Sequence, residues 1–288
     1  PVIKHSDGIC HIYVDKEADL SIAKKIVLNS KMRRPGICGA AETLLIDKKI
    51  SNQVLTILND LKKANCEIRG DQFVLAAADG FRLAVHTGRL SAPVTEDIDV
   101  VIPARTLEEV ARVASDARYS SGDEVELTVT PAKSQILVKL PNVELVGQLT
   151  QGHFPDYKQL IPDPKDSTCN ALVNLDAFSR ATRTAAILAR DSNGIVRLEF
   201  SPADDGSGTL QISSSADEIG ENREEVDAEI TGEAAKIAFS SRYLVDVLRN
   251  MPGTQVSVES SSPSSPGVFR PQSDESYVHV VMPMFVRW

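Results

Sequence analysis

The residues of this 288-residue sequence that could carry chemistry are four cysteines, five histidines and several grouped arginines. Cys38 follows Arg33-Arg34-Pro35-Gly36 and precedes Gly39-Ala40-Ala41, a setting that places a thiol at a bend. The thiolate is the nucleophilic form, and neighbouring arginines lower a thiol's pKa from its ordinary value of about 8.5. Reductive chemistry on an acyl group would also need a bound hydride donor. No G-x-G-x-x-G or other nucleotide fingerprint occurs in the sequence, so an inert thiol is the simpler reading of Cys38.

Cys10 and His11 are adjacent, and neighbours on a strand point to opposite faces, which argues against a catalytic dyad. Cys10, Cys38, Cys66 and Cys169 show no C-x-x-C spacing and no charged-then-apolar leader precedes them, the pattern of thiols in a reducing cytoplasm. His86, His153 and His279 have no carboxylate or cysteine at ligand spacing, so no metal site is expected. The arginines are more informative. At about 100° per residue, Arg180, Arg183 and Arg190 fall within an arc of about 80°, while Phe178, Ala181, Ala185, Leu188 and Ala189 fill a separate arc. Arg105 and Arg112 likewise share a helix face, diluted by Glu108 and Glu109.

These side chains need elements to place them. The opening reads as α/β: a strand over 9–14, a helical pattern with Leu20, Ala23, Ile26 and Val27 on one face, and a strand over 43–46. Ser51 is expected to cap a helix that buries Val54, Leu55, Leu58 and Leu61. From about Phe73 the texture changes to short β-rich runs at 73–77, 98–102, 125–129, 135–139 and 144–149, around one helix at 106–115. A proline-bearing stretch, 152–167, leads to a second unit of similar plan. Its helices are expected at 174–190 and 240–251, and its strands at 196–200, 209–213, 256–259 and 278–282. Two units of helices backed by antiparallel strands make an α+β repeat.

Composition supports a folded chain: 42% hydrophobic, 25% charged, no apolar run near the roughly 20 residues of a membrane span, and a formal charge of −9. The charge is unevenly placed. Residues 1–71 hold 12 Lys and Arg against 9 Asp and Glu, and the remainder holds 19 against 31. The first part is therefore +3 and the second −12, and all but one of the aromatics lie in the second.

Three motifs in the second part, Asp79-Gly80-Phe81-Arg82-Leu83-Ala84, Gly152-His153-Phe154-Pro155-Asp156-Tyr157 and Val280-Val281-Met282-Pro283-Met284, resemble the bacterial DNA polymerase III beta subunit, the sliding clamp. The resemblance implies a partial clamp middle domain at 72–150, a linker at 151–168 and a complete clamp C-terminal domain at 169–288. In residues 1–71, the segments 2–11 and 34–43 resemble a fragment of gamma-glutamyl phosphate reductase, of the aldehyde dehydrogenase superfamily, with Cys38 at its catalytic cysteine. On this reading the chain is a chimera with a junction near 70–73, and Cys38 is a vestigial nucleophile.

The clamp resemblance implies a processivity factor that needs no cofactor and does no chemistry itself. Its partners would be duplex DNA, the replicative polymerase, the clamp loader and proteins with clamp-binding motifs. Gly80, Phe81, Arg82, Leu83, Pro155, Leu160, Tyr243, Val280, Val281, Met282, Pro283 and Met284 would line a partner-peptide groove. Arg105, Arg112, Arg180, Arg183 and Arg190 would face DNA phosphates without reading sequence. The family is a head-to-tail homodimeric ring, and without a first clamp domain closure of the usual dimer is not expected. Departures from the family pattern are Ala78 where Thr is frequent, Gln159 where Arg occurs, and Phe285-Val286-Arg287-Trp288 after Met284. The enzyme alternative is an NADPH-dependent reductase fragment of proline biosynthesis with Cys38 as nucleophile, and a further alternative is a non-functional chimera.

Overall fold

The computed structural model describes residues 10–34, 40–64, 66, 70–94, 96–116, 124–190, 192–216 and 220–288. The chain divides into two compact units, one of residues 1–71 and 91–97, the other of residues 72–90 and 98–288.

In the first unit β1 (Cys10–Val14) and β2 (Ala41–Ile46) pair in parallel, with α1 (Leu20–Met32) between them in sequence. Asp19 caps α1, its carboxylate accepting from the backbone N–H of Ser21 at 2.8 Å and of Ile22 at 3.1 Å. Ala23 and Val27 are buried as the periodicity predicts, whereas Ile26 is 52% exposed at the margin of the apolar arc. The start of the next helix differs from the reading that Ser51 caps it. Asp47 accepts from the Lys49 N–H at 2.8 Å and opens a 3-10 segment, Lys48–Gln53, that runs into α2 (Val54–Lys63). Ile57 and Leu61 are buried on α2, while Leu55 is 68% exposed. On the helix wheel Leu55 lies about 160° from Ile57 and about 120° from Leu61, away from the buried pair.

The second unit holds all but the first two residues of β3 (Gly70–Ala78) and all but the last four of β4 (Arg82–Val94), followed by α3 (Ala104–Ala114) and a three-stranded antiparallel sheet of β5 (Glu126–Val129), β6 (Gln135–Leu140) and β7 (Val143–Gln148). The expected strand at 98–102 is an extended segment whose one ladder contact is an isolated bridge from Val101 to Thr150. Val100 and Ile102 pack against the cluster of Ile136, Val138, Leu140 and Leu149, and Pro103 then starts α3 two residues earlier than predicted. The apolar run here reports contact with the cluster rather than strand pairing.

Next come β8 (Cys169–Asn174), α4 (Leu175–Arg190), β9 (Ile195–Pro202), β10 (Ser207–Ala216), β11 (Gly220–Gly232) and β12 (Ala235–Ser240). They are followed by α5 (Ser241–Asn250), β13 (Gln255–Ser260), β14 (Gly267–Pro271) and β15 (Tyr277–Val281). One ten-stranded sheet runs β12-β9-β10-β11-β8-β13-β14-β15-β4-β3. The antiparallel register Val281↔Arg82, Val280↔Leu83 and His279↔Ala84 stitches β15 to β4, so the sheet continues between regions that the proline-bearing stretch separates in sequence.

Helices α4 and α5 pack on this sheet. Phe178, Ala181, Ala185 and Ala189 of α4 and Leu244, Val247 and Leu248 of α5 are buried with Val173, Leu198, Ile212 and Phe269. Asn174 Oδ1 caps α4 by accepting from the Ala177 N–H at 3.0 Å. The strands β4, β8, β11, β12 and β14 are absent from the sequence reading. β11 reads as an acidic polar run, and it is a strand because β10 and β8 supply its ladder.

Candidate functional site

Asp79 Oδ1 accepts from the backbone N–H groups of Phe81 and Arg82, each at 3.1 Å, and closes a turn at the β3–β4 junction. Gly80 occupies the turn at φ +86°, in the left-handed region that a glycine adopts without steric cost. The turn leaves Phe81 57% exposed and sends Leu83 into a small core with Val85, Val268, Val278 and Val280.

Three other segments meet this turn. Beyond β15, the Met282 N–H donates to the Phe81 carbonyl at 2.8 Å and the Met284 N–H to the Ala238 carbonyl at 2.7 Å. Pro283 lies between these two anchors and has no N–H to donate. The Met282 and Met284 side chains are 46% and 39% exposed. On α5, Tyr243 stacks on Phe81 with ring centroids 6.0 Å apart. In the stretch at 152–168, Tyr157 and Ile161 pack on the Leu83–Val280 core and flank Leu160, which is 54% exposed. Asp156 caps the 3-10 turn Tyr157–Leu160, and Pro155 is exposed beside it.

The predicted groove residues thus divide by position. Phe81, Leu160, Met282 and Met284 are exposed apolar surface, with Tyr243 and Pro283 half-buried. Leu83 and Val280 lie beneath this surface, each 4% exposed. Val281 is not part of it. Successive strand side chains alternate, so Val280 joins the Leu83 cluster while Val281 is fully buried in the α4–α5 core.

Arg82 is held by two carboxylates, Nε donating to Asp79 Oδ2 and Nη1 to Asp246 Oδ2, each at 2.9 Å. Its guanidinium carbon lies 4.7 Å from the Tyr243 ring centroid. Burial opposes charge on both Asp79 and Arg82, yet the hydrogen bonds from Arg82 and from the Phe81 and Arg82 backbone hold the Asp79 carboxyl below the usual range, and those to Asp246 and then Asp79 raise Arg82. Burial, and then the Arg82 charge, push the His279 imidazole down to about 4. The sequence reading missed Asp79, Asp246, Tyr157 and Ile161 as supporting residues. Asp79 and Tyr157 fall inside the recognised motifs, and Asp246 lies three residues after Tyr243, on the same side of α5.

Arg180, Arg183 and Arg190 are exposed, and Ile187, 66% exposed, lies within their arc. A shallow cleft brings Arg180 and Thr184 beside Glu224, Glu225 and Asp227 of β11, so acids border the basic face. Arg105 and Arg112 are exposed on α3, and Arg112 pairs with Glu109, Nη2 to Oε2 at 2.8 Å. Cys38 lies outside the described residues. Cys10 and His11 lie on β1, and the register of β1 against β2 shifts between them, so the regular alternation expected there does not hold at this step. Among the described residues no cluster of three or more His, Cys, Asp or Glu could hold a metal ion, and no helix is long and apolar enough to cross a membrane.

Two family models match the chain. That of the DNA polymerase III beta subunit central domain matches residues 49–156, and that of the C-terminal domain matches residues 158–285. The match to the central domain thus begins before the charge and texture change near residue 72. The beta sliding clamp of Bacillus subtilis is 31% identical over 226 residues, 78% of this chain and 57% of that protein. A Staphylococcus aureus beta sliding clamp is 31% identical over 226 residues, 78% of this chain and 56% of the relative. Among solved structures, the Bacillus subtilis DNA polymerase sliding clamp superposes with a TM-score of 0.67 at 30% identity, covering 76% of this chain and 55% of that one. The Pseudomonas aeruginosa DNA polymerase III beta subunit gives a TM-score of 0.66 at 26% identity, covering 76% of this chain and 57% of that one. The chain spans a little over half the length of these relatives. It carries the sliding-clamp fold over two consecutive domains and belongs to the DNA polymerase III beta subunit, or sliding-clamp, family.

Proposed function

We propose that the chain acts as a sliding clamp, tethering the replicative polymerase and other DNA-processing proteins to duplex DNA. DNA, the polymerase, the clamp loader, clamp-binding-motif proteins and a second copy of the chain are its proposed partners. The observation that carries the reading is the meeting of Phe81, Tyr243 and Met282 from three distant segments, with Leu160 flanking their shared core. For each residue alone, packing would be reason enough. Together they leave adaptable apolar surface, and exposed methionines suit peptides of varied sequence. The test is anisotropy titration of a fluorescein-labelled hexapeptide carrying adjacent Leu and Phe. Wild type is expected to bind it, and Phe81→Ala to weaken binding tenfold or more; an unchanged affinity in Phe81→Ala would remove the groove from this surface.

The central-domain match from residue 49 takes residues 49–71 out of the expected reductase fragment; for the residues before 49 we propose an α/β piece of reductase-like ancestry, joined to clamp domains that carry the function. The parallel β1–α1–β2 unit supports it, because the sheets of the second unit are antiparallel throughout the described residues. Oxidation of glutamate semialdehyde with NADP and phosphate, abolished by Cys38→Ala, would make an enzyme of this piece. No turnover is expected.

A further inference from the structure

The ten-stranded sheet ends on β12 at one side and on β3 at the other, and the two edges are finished differently. An edge strand carries unpaired N–H and C=O groups that can pair with another chain; short length, a lysine or a covering segment suppresses this. β12 has all three. It is six residues long and carries Lys236, its Ala238 carbonyl accepts from the Met284 N–H at 2.7 Å, and the Trp288 ring centroid lies 5.5 Å from Lys236 Nζ. β3 has none of them among the described residues. It is nine residues long, residues 73–78 are an unbroken apolar run, and Val74 and Leu75 are 48% and 47% exposed.

The two halves of the second unit show what would fit that edge. The hairpin of β10 and β11, then β12, α5 and β13-β14-β15, corresponds in order to the hairpin of β3 and β4, the segment at 98–102, α3 and β5-β6-β7. The outer edge of β10 is covered by antiparallel β9, from Gly208↔Pro202 to Ser213↔Arg197. No described strand pairs with the corresponding edge of β3, so an antiparallel strand suits it.

A second β3 related by a two-fold axis is antiparallel by symmetry. With the axis normal to the sheet each residue keeps its face, so only positions an even number apart oppose each other. Centred on Val74, the pairing sets Phe73 against the second copy's Leu75 and Asp71 against its Ala77, so apolar side chains meet and no like charges are opposed. Centred on Leu75 instead, it would oppose Asp71 to Asp79. We propose that β3 is a self-association edge: two copies of the chain pair antiparallel through β3, centred on Val74, and join their sheets into one. The inference is independent of the groove and DNA readings above.

Sedimentation velocity of the full chain at micromolar concentrations is expected to show a monomer–dimer equilibrium. Val74→Lys and Val74→Glu each oppose like charges at the axis, so each alone should weaken the dimer tenfold or more. An equimolar mixture of the two should restore it, because Lys then faces Glu. Thermal melts by circular dichroism verify that the variants are folded; if they are not, Leu75→Lys reads the same loss. A wild type that stays monomeric, a dimer that survives the lysine substitution, or a mixture that does not recover overturns the inference.

Discussion

His279 sits on β15 with its Nδ1 hydrogen-bonded to the Tyr277 hydroxyl at 2.9 Å, while its buried Nε2 has no hydrogen-bond partner among the described residues. Burial and then Arg82 oppose a positive charge on the ring, and the more distant Asp79 and Asp246 only partly offset them. The sign of the pH effect follows. The folded-state pKa of about 4 lies below the ordinary 6.5, so the unfolded chain binds a proton first as pH falls. His279 should therefore cost the fold stability between about pH 6.5 and 4. Urea unfolding at pH 7 and pH 4.5 is expected to show wild type losing about 2–3 kcal/mol more than His279→Gln over that interval. Equal losses in the two proteins would contradict the assignment. From sequence, the lack of a carboxylate or cysteine at ligand spacing from His279 was legible. Its place beside the Arg82 pair was not, because that neighbourhood depends on the register of β15 against β4.

At the scale of elements, the buried arc of α4 and its capping were readable because helical period and an Asn at the N-cap are local properties. Phe178 lies at the centre of that arc and is fully buried, so Phe178→Ala should destabilise by about 3–5 kcal/mol, measured as a shift in the urea midpoint. The turn after β11 offers a different kind of test. Gly232 has φ +96°, and a Cβ there would approach the Thr168 carbonyl oxygen to 2.0 Å. Gly232→Ala is thus expected to cost about 1–3 kcal/mol or more, because backbone rather than a flexible side chain would have to move. No sequence signal distinguishes this glycine from others, since the clash is with a residue 64 positions away. The expected strand at 98–102 failed for the converse reason: its β-rich apolar composition was real, but what it packs against is a cluster, with a single bridge and no ladder.

For the whole molecule, a formal charge of −9 opposes association with a polyanionic partner. The proposed contact with duplex DNA turns on the segregation of charge, with Arg180, Arg183 and Arg190 on the exposed side of α4. Glu224, Glu225 and Asp227 border Arg180, so phosphate contact should be weak and strongly salt-dependent. Replacing Arg180 and Arg183 by Gln should flatten the slope of log affinity against log salt by about 0.9 per arginine, without changing sequence preference. An unaltered slope in fluorescence titrations with duplex DNA would place the DNA-facing surface elsewhere.

By itself the sequence determined the family motifs, the segregation of charge, the apolar faces of the principal helices and the α+β character of the second part. Each is encoded in spacing along the chain, where period and residue type act on near neighbours. Tertiary structure alone decided that Val281 turns into the core while Val280 supports the exposed apolar surface, and that β4 and β15 join one sheet. It also decided that Arg82 is shared by Asp79 and by Asp246, 164 residues away. These outcomes depend on which distant elements meet and in what register, and no local pattern of residues specifies that meeting.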